Sequence, residues 1–151
     1  MQKLIESIKA HDKTGSEIPL KSVMENGKKT AFIIVFNRNQ TTKHFSKVWS
    51  AKLEKLSKGV IKVNKIIAFK SSIDEMFRHS FDSAVKNFFP EEKDERIFAV
   101  YGNCAKRLYN AAKLKTEDMV AVALFGEDRS LLFLHAEPFS DVAVKKLEAV
   151  I

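Results

Sequence analysis

The pattern of apolar and polar positions divides the chain into short strands and longer amphipathic helices. Five short apolar runs predict strands: residues 30–36, 62–69, 97–101, 119–125 and 130–136. The first and the fourth are apolar at nearly every position, which is typical of strands covered on both faces of a sheet. We therefore expect the first run to lie centrally in the sheet. Gly126 and Asp128 lie between the last two runs, which predicts a hairpin.

A helix with one apolar face is predicted between the first two strands. Thr41 or Thr42 supplies a preferred N-cap residue, and Gly59 follows a helix end near Lys58. At about 100° per residue, five apolar side chains share one arc: Phe45, Val48, Trp49, Leu53 and Leu56. Four lysines lie on the other side: Lys43, Lys47, Lys55 and Lys58. Lys52 falls inside the apolar arc, and its aliphatic stem is expected to lie along the apolar surface.

Three further helices are predicted from their cap residues. Ser72 and Glu75 form a capping-box signature. The apolar positions that follow share one face: Ile73, Met76, Phe77, Phe81, Ala84, Val85 and Phe88. Asn103 is predicted to cap a shorter helix over 104–114. Ser140 is predicted to cap a last helix with four apolar side chains: Val142, Val144, Leu147 and Ile151.

The first 29 residues hold a turn and a short amphipathic piece ahead of the first long strand. Asp12 and Gly15 are typical turn residues, and residues 20–24 form the amphipathic piece. From the strand at 30–36 onward, the elements give the order β-α-β-α-β-α-β-β-α. This order predicts an α/β fold with an antiparallel hairpin near its end.

The length and composition indicate a folded protein with a core of its own. A chain of 151 residues fits one domain, which we expect to span 1–151. Its 45% hydrophobic and 30% charged residues exclude collagen-like and low-complexity classes. No apolar run approaches the roughly 20 residues of a membrane-spanning helix. The first residues lack a secretory signal and an Arg- and Ser-rich presequence, which indicates a cytosolic protein or an already trimmed chain.

Positive charge is concentrated in the first half of the chain. Residues 1–75 hold 15 Lys and Arg against 7 Asp and Glu, whereas residues 76–151 hold 11 against 12. The asymmetry favours an acidic partner. Six lysines are the candidate partner-binding residues: Lys28, Lys29, Lys43, Lys47, Lys55 and Lys58. The alternative is a solvated lysine-rich face.

Three kinds of acidic partner remain open: a protein surface, anionic lipid and nucleic acid. Nucleic acid is disfavoured, because the sequence lacks the aromatic pattern of an RRM, the Gly-x-x-Gly loop of a KH domain and zinc knuckles. We interpret the lysines as facing an acidic protein or lipid headgroups before nucleic acid.

Motifs for catalysis are sparse. No Walker A, Gly-x-Gly-x-x-Gly or Gly-x-Ser-x-Gly motif occurs. The single cysteine, Cys104, excludes a CxxC pair within the chain, and a buried structural thiol is favoured for it over a catalytic one. The four histidines show no spacing that predicts a metal cluster, and His79 is predicted to lie on the surface. We expect no catalytic residue, metal or cofactor.

A helix N-terminus offers a weak candidate anion site. Gln40, Thr41 and Thr42 open the helix after the first long strand, where backbone N–H groups and the helix dipole attract anions. A plain N-cap is the favoured interpretation, because threonine is preferred at that position.

The layout resembles the thioredoxin fold in its peroxiredoxin-like form. The residues that carry the resemblance are Asp12, Gly15, Ile18-Pro19-Leu20, Gly27-Lys28 and Ala31 to Phe36. The resemblance implies a three-layer α/β/α fold with a redox loop at residues 37–42, which here contains no cysteine. It also implies a cis-proline before the hairpin, and the corresponding stretch, residues 115–118, has no proline.

The order and spacing of the predicted elements over Gly15 to Ile151 are also similar to those of the mitochondrial ATP-synthase assembly-factor family, the fungal "assembly factor ten" group. The similar features are Phe45 to Trp49, Phe88-Phe89-Pro90, an acidic loop, Val100-Tyr101-Gly102 and the hairpin within Met119 to Ala136. The chain departs from that family at Leu132-Phe133, where the family tends to have an Arg-Trp pair.

This second resemblance implies a non-catalytic assembly factor or accessory subunit of a mitochondrial membrane complex, the F-type ATP synthase foremost. The protein would then bind subunits of a larger complex, at the matrix or inner membrane of mitochondria. A cytoplasmic location is the alternative. Two other functions stay open: a degenerate thiol redox enzyme that uses Cys104, and a basic RNA- or ribosome-associated subunit.

Overall fold

The computed structural model describes residues 1–24, 27–70, 81, 83, 85–86 and 96–151. Its strands are β1 (Lys9–His11), β2 (Glu17–Pro19), β3 (Thr30–Val35), β4 (Lys62–Phe69), β5 (Ile97–Tyr101), β6 (Ala121–Phe125) and β7 (Leu131–His135). Its helices are α1 (Gln2–Ser7), α2 (Gln40–Ser57), α3 (Gly102–Ala112) and α4 (Asp141–Glu148), with a 3₁₀ turn at Leu20–Val23. Residues 81, 83, 85 and 86 are also helical.

The seven strands form one sheet in the order β2-β1-β5-β4-β3-β6-β7. The central strands β3, β4 and β5 are parallel, and the remaining pairs are antiparallel. All six residues of β3 are buried, because the strand has a neighbour on each side and a helical layer on each face. The central position predicted for residues 30–36 is confirmed.

Side chains that alternate along the strands build a separate core on each face of the sheet. Ile33 of β3 packs with Trp49 and Leu53 of α2 and with Leu147 of α4. The next residue, Ile34, packs on the other face, in the cluster that contains side chains of α1, the 3₁₀ turn and α3. These two cores give the predicted three layers, with helices on both faces of a mixed sheet.

Helix α2 confirms most of the predicted helix but not its cap. Trp49 and Leu53 are fully buried, and Lys52 is half-buried. The N-cap is Asn39 rather than Thr41 or Thr42, because the Asn39 side chain accepts a hydrogen bond from the Thr42 backbone N–H. The helix ends before Lys58, which adopts a left-handed conformation at φ 49°, and Gly59 follows at φ 83°.

The other caps and helix ends agree with the sequence in part. Ser140 caps α4 as predicted, since its hydroxyl accepts from the Ala143 N–H. Asn103 does not cap α3, because the helix begins at Gly102, two residues earlier than predicted, and has Tyr101 as its N-cap. Val142 is 63% exposed and Ile151 lies beyond α4, so neither belongs to the core as the apolar pattern predicts.

The N-terminal part contains elements that the pattern did not predict. Helix α1 and the β1–β2 hairpin precede the 3₁₀ turn, and β1 adds to the sheet beside β5. The predicted turn connects β1 to β2, where the Asp12 carboxylate accepts from the N–H groups of Thr14 and Ser16. The hydrogen bond that the Thr14 hydroxyl donates to this carboxylate, together with the two backbone bonds, lowers the pKa of Asp12.

Two further predictions have mixed outcomes. The hairpin is confirmed as β6–β7, although β6 begins at Ala121, two residues later than predicted. The capping box Ser72–Glu75 and most of the helix that follows lie outside the described residues, as does His79. Phe81 and Val85 are described and are buried, as their predicted apolar face requires.

No helix in the described part of the chain is long and apolar enough to cross a membrane.

Candidate functional site

The loop that connects β3 to α2 is folded tightly around the start of the helix. Asn39 Oδ1 accepts from the Thr42 N–H at 3.0 Å, and the Asn39 N–H donates to Thr42 Oγ1 at 3.1 Å. The Thr42 hydroxyl also donates to the Asn37 carbonyl at 2.7 Å. The first turn of α2 is thus capped by the loop itself.

Two asparagines tie this loop to the segment before β6. The side-chain amides of Asn37 and Asn39 donate to the same oxygen of Asp118, at 2.9 and 2.6 Å. The Asn37 N–H also donates to the Glu117 carbonyl at 3.1 Å. We call Asn37, Asn39 and Asp118 the asparagine clamp. Its two bonds join loop residues that are 81 and 79 positions apart in the chain. Hydrogen bonds to a carboxylate are stronger than those between neutral groups.

Arg38 lies between the clamp asparagines and stacks on aromatic rings. Its guanidinium carbon is 4.5 Å from the ring centroid of Phe69 at the end of β4. Phe69 stacks in turn on Tyr101 of β5, with centroids 5.1 Å apart and planes 9° from parallel. Although Arg38 is exposed overall, burial of its inner part lowers its pKa, and burial raises the pKa of Tyr101.

Lys70 follows β4 and supplies a second positive charge nearby. Its ammonium pairs with the Glu117 carboxylate and lies 4.0 Å from the ring centroid of Tyr109. Lys70, Glu117 and Arg38 line one cleft of about 190 Å³, whose other walls are Phe36, Asn37, Ala68 and Phe69. The cleft opens at the carboxyl ends of parallel strands, where open α/β sheets bind ligands.

The sequence-predicted anion site borders this cleft but does not line it. Gln40 and Thr41 are exposed, whereas Thr42 is fully buried and its N–H is taken by Asn39. Anion binding at these three residues stays a prediction.

The predicted partner-binding lysines occupy two regions. Lys47, Lys55 and Lys58 are exposed on α2, and Lys43 on the same helix is half-buried. Lys28 lines a cleft of about 380 Å³ at the other end of the sheet, beside Lys62 and Arg96. Lys29 is half-buried, and its ammonium donates to the backbone oxygens of Val150 and Ile151 at 3.1 Å.

Cys104 lies away from the loop after β3. It is a free, half-buried thiol in the first turn of α3, packed against the core on the opposite face from α2. Full burial, as a structural thiol would have it, is not observed. Among the described residues, no three His, Cys, Asp or Glu side chains are grouped so that they could hold a metal ion.

Sequence reasoning missed the cleft residues Arg38, Lys70 and Glu117. One signal could have found two of them: Lys70 directly follows the apolar run 62–69, and Arg38 comes two residues after the run 30–36. Charged residues at the carboxyl ends of adjacent parallel strands meet at one edge of the sheet. The third residue, Glu117, could not be placed, because its loop lies in an irregular stretch before β6.

Comparisons with known proteins support the fold alone. No family model matches the sequence, and no curated protein matches it. Solved structures do match over nearly the whole chain. One is a secreted Mycobacterium tuberculosis disulfide oxidoreductase homologous to Escherichia coli DsbE, with TM-score 0.57, 10% identity, and 99% of this chain and 96% of that one covered. Another is Arabidopsis thaliana ScoI with copper bound, with TM-score 0.60, 14% identity, and 94% and 96% covered.

A third similar structure is a thioredoxin-like protein from Aeropyrum pernix, with TM-score 0.56, 14% identity, and 96% and 88% covered. All three identities are too low to carry a function over to this chain. The more specific resemblance to the mitochondrial assembly-factor family stays a prediction. The strand order, the two helical layers and these matches together show that the chain has a thioredoxin-like α/β fold.

Proposed function

We propose that this thioredoxin-like protein works by binding a partner and does not catalyse thiol chemistry. The observation that carries the proposal is the asparagine clamp. It occupies the loop in which the thioredoxin resemblance implies a redox centre, and its hydrogen bonds fill the positions nearest to the helix start. Disulfide exchange within one chain needs two cysteines, and this sequence has one.

The spacing of the cap residues supports the same proposal. Asn39 and Thr42 are three residues apart, which is the spacing of the two cysteines of a CxxC motif, and they lie at a helix N-terminus, where such motifs gain a reactive thiolate. Here the pair stabilises the helix through a reciprocal cap instead. The similar structures include a disulfide oxidoreductase, so the same scaffold supports thiol chemistry in another protein.

The exposed lysines of α2 support an acidic protein as the partner. Lys47, Lys55 and Lys58 extend along the exposed side of the helix, opposite the buried Trp49 and Leu53. Similarity of element order to the assembly-factor family is the ground for a further proposal. We infer that the partner is a subunit of a mitochondrial membrane complex, the F-type ATP synthase first.

Redox assays test the central proposal. We expect the parent protein and Cys104→Ser to show only background rates of insulin reduction and peroxide turnover. The double variant Asn39→Cys/Thr42→Cys serves as a matched positive control, since it places a CxxC pair at the start of α2, and its insulin reduction should exceed the parent rate. A parent rate above background that disappears in Cys104→Ser would overturn the proposal and assign the protein to thiol enzymes.

A further inference from the structure

Arg38 brings a positive charge to the cleft at the carboxyl ends of β3 and β4, and no acidic side chain of the described residues pairs with it. The Arg38 guanidinium packs on the face of the Phe69 ring. This cation–π contact holds the guanidinium in place and, unlike an ion pair, leaves its N–H donors available. Phe69 and Tyr101 are paired in register on adjacent parallel strands, so this support is part of the sheet.

The acidic groups around the cleft already have partners. Glu117 pairs with Lys70, and Asp118 accepts from both clamp asparagines. The charged side chains that line the cleft are two cations and one carboxylate, so the lining carries one net positive charge. Asp118, whose partners are neutral amides, does not line the cleft. A single carboxylate on a ligand would balance this net charge, whereas a phosphate monoester brings about 1.5 to 2 negative charges.

The size of the cleft restricts what enters it. Its volume of about 190 Å³ is below the roughly 300–1,000 Å³ of pockets that enclose whole small molecules. One end group of a larger ligand fits such a space. The walls combine aromatic and aliphatic surface from Phe36, Ala68 and Phe69 with the two cations, which suits an acidic side chain that has an aliphatic stem.

We propose that this cleft binds the carboxylate of an acidic side chain on a partner protein, and that Arg38 is the residue that contacts it. The planar guanidinium matches a carboxylate with two parallel hydrogen bonds. Lys70 adds positive potential from the neighbouring strand end. The inference rests on the proposed function, because it gives the partner-binding protein a recognition pocket in the loop where a redox centre is expected.

The test uses the full chain and two capped tripeptides, acetyl-triglutamate amide and acetyl-triglutamine amide. Titration of ¹⁵N-labelled protein with triglutamate should shift the amide signals of residues 37–40 and 70 in a saturable way. Triglutamine should not. Arg38→Gln should weaken the triglutamate Kd about tenfold, the loss expected for a hydrogen-bonded charge pair. Arg38→Lys, which keeps the charge without the fork, should fall between Arg38→Gln and the parent.

Lys21→Gln is the matched control, because it removes one exposed positive charge from the 3₁₀ turn, outside both the cleft and the lysines proposed to bind the partner. It should keep the Kd within twofold of the parent. Unfolding midpoints and amide spectra of each variant check that the fold is retained. If Arg38→Gln alters the fold, the Kd values of Arg38→Lys and Lys21→Gln are compared instead, and a weaker Kd in Arg38→Lys alone supports the inference.

Several results would overturn the inference. They are an absence of saturable shifts, shifts that map to the α2 lysines, equal losses of affinity in Arg38→Gln and Lys21→Gln, and equal binding of triglutamine. Inorganic phosphate that competes better than triglutamate would overturn the assignment to a carboxylate. If the redox rates stay at background, any of these results leaves the proposed function in place. A redox rate that depends on Cys104 would overturn the proposed function, whatever the peptide titrations show.

Discussion

Asn64 is a buried amide in the middle of β4 with no hydrogen-bond partner among the described residues. It has no exposed surface, and its register neighbour on β3 is Phe32. An unpaired buried amide lowers stability, because both its donor and its acceptor have given up water. We expect Asn64→Leu to raise the free energy of unfolding by about 1–3 kcal/mol, measured by urea denaturation.

The control at this position is Asn64→Asp. It keeps the size but buries a charge, and should lower the free energy of unfolding. A lower unfolding midpoint in Asn64→Leu would contradict the interpretation and indicate that the amide is bonded in the folded protein.

Trp49 shows how much of the core the helical pattern predicts. It is fully buried and contacts Phe139, His135 and Phe133, with ring centroids 5.0, 5.3 and 6.1 Å away. Trp49→Ala should lower the free energy of unfolding by about 3–5 kcal/mol. Val142→Ala, at a position that the pattern also assigns to the core, should change it by less than about 0.5 kcal/mol because the side chain is exposed. Equal losses of unfolding free energy in Trp49→Ala and Val142→Ala, measured by urea denaturation, would contradict the assignment of Trp49 to the core and Val142 to the surface.

At the scale of elements, the five apolar strands β3 to β7 were easier to predict than the helix caps, whereas β1 and β2 were missed. The apolar run of β3 indicates burial by itself, because all six of its residues are buried between the two helical layers. A cap depends on more than the residue type. Three residues suited to capping, Asn39, Thr41 and Thr42, lie within four positions. The hydrogen bond to Asp118 that holds Asn39 in place comes from a residue 79 positions away. That contact is not visible in a local pattern.

Asparagine-to-alanine substitutions at two helix starts separate the true cap from the falsely predicted one. Asn39→Ala removes the bond to the Thr42 N–H and one bond of the asparagine clamp, so we expect a loss of about 0.5–2 kcal/mol in unfolding free energy. Asn103→Ala removes no cap bond from α3 and should cost less than about 0.5 kcal/mol.

Amide hydrogen exchange gives a second measurement of the same pair. Protection should fall in the first turn of α2 for Asn39→Ala and stay unchanged in α3 for Asn103→Ala. The reverse pattern would show that the assigned caps are wrong.

At the scale of the whole molecule, the site was harder to predict than the fold. Arg38, Lys70 and Glu117 come from three loops, and only the strand order brings them to one cleft. The charge asymmetry between the halves is visible in the sequence, but its position on the surface is not. Lys29 is half-buried and bonded to the C-terminal backbone, and Lys28 lies at the end of the sheet opposite to the Arg38 cleft.

Charge reversal of the α2 lysines tests whether this positively charged surface binds a partner. Replacing Lys43, Lys47, Lys55 and Lys58 by Glu should leave the fold intact, since none of the four belongs to the buried set of α2. Partners that co-purify with the tagged parent from its own cells should be lost, chiefly through slower association. Quantitative mass spectrometry of the recovered proteins measures the loss.

A control reversal of equal charge lies on the elements that cover the other face. Lys3, Lys21, Lys106 and Lys113 are all exposed, and Lys113, like Lys58, is the left-handed residue at a helix end. Replacing these four by Glu should leave the recovered partners unchanged.

Salt and lipid titrations then identify the partner class. The logarithm of the affinity for duplex nucleic acid falls linearly with the logarithm of the salt concentration, with a slope near −0.9 per phosphate neutralised. The affinity for vesicles rises with their anionic lipid content. If both reversals leave co-purification unchanged, the lysines of α2 are a solvated face, and the interface lies elsewhere on the molecule.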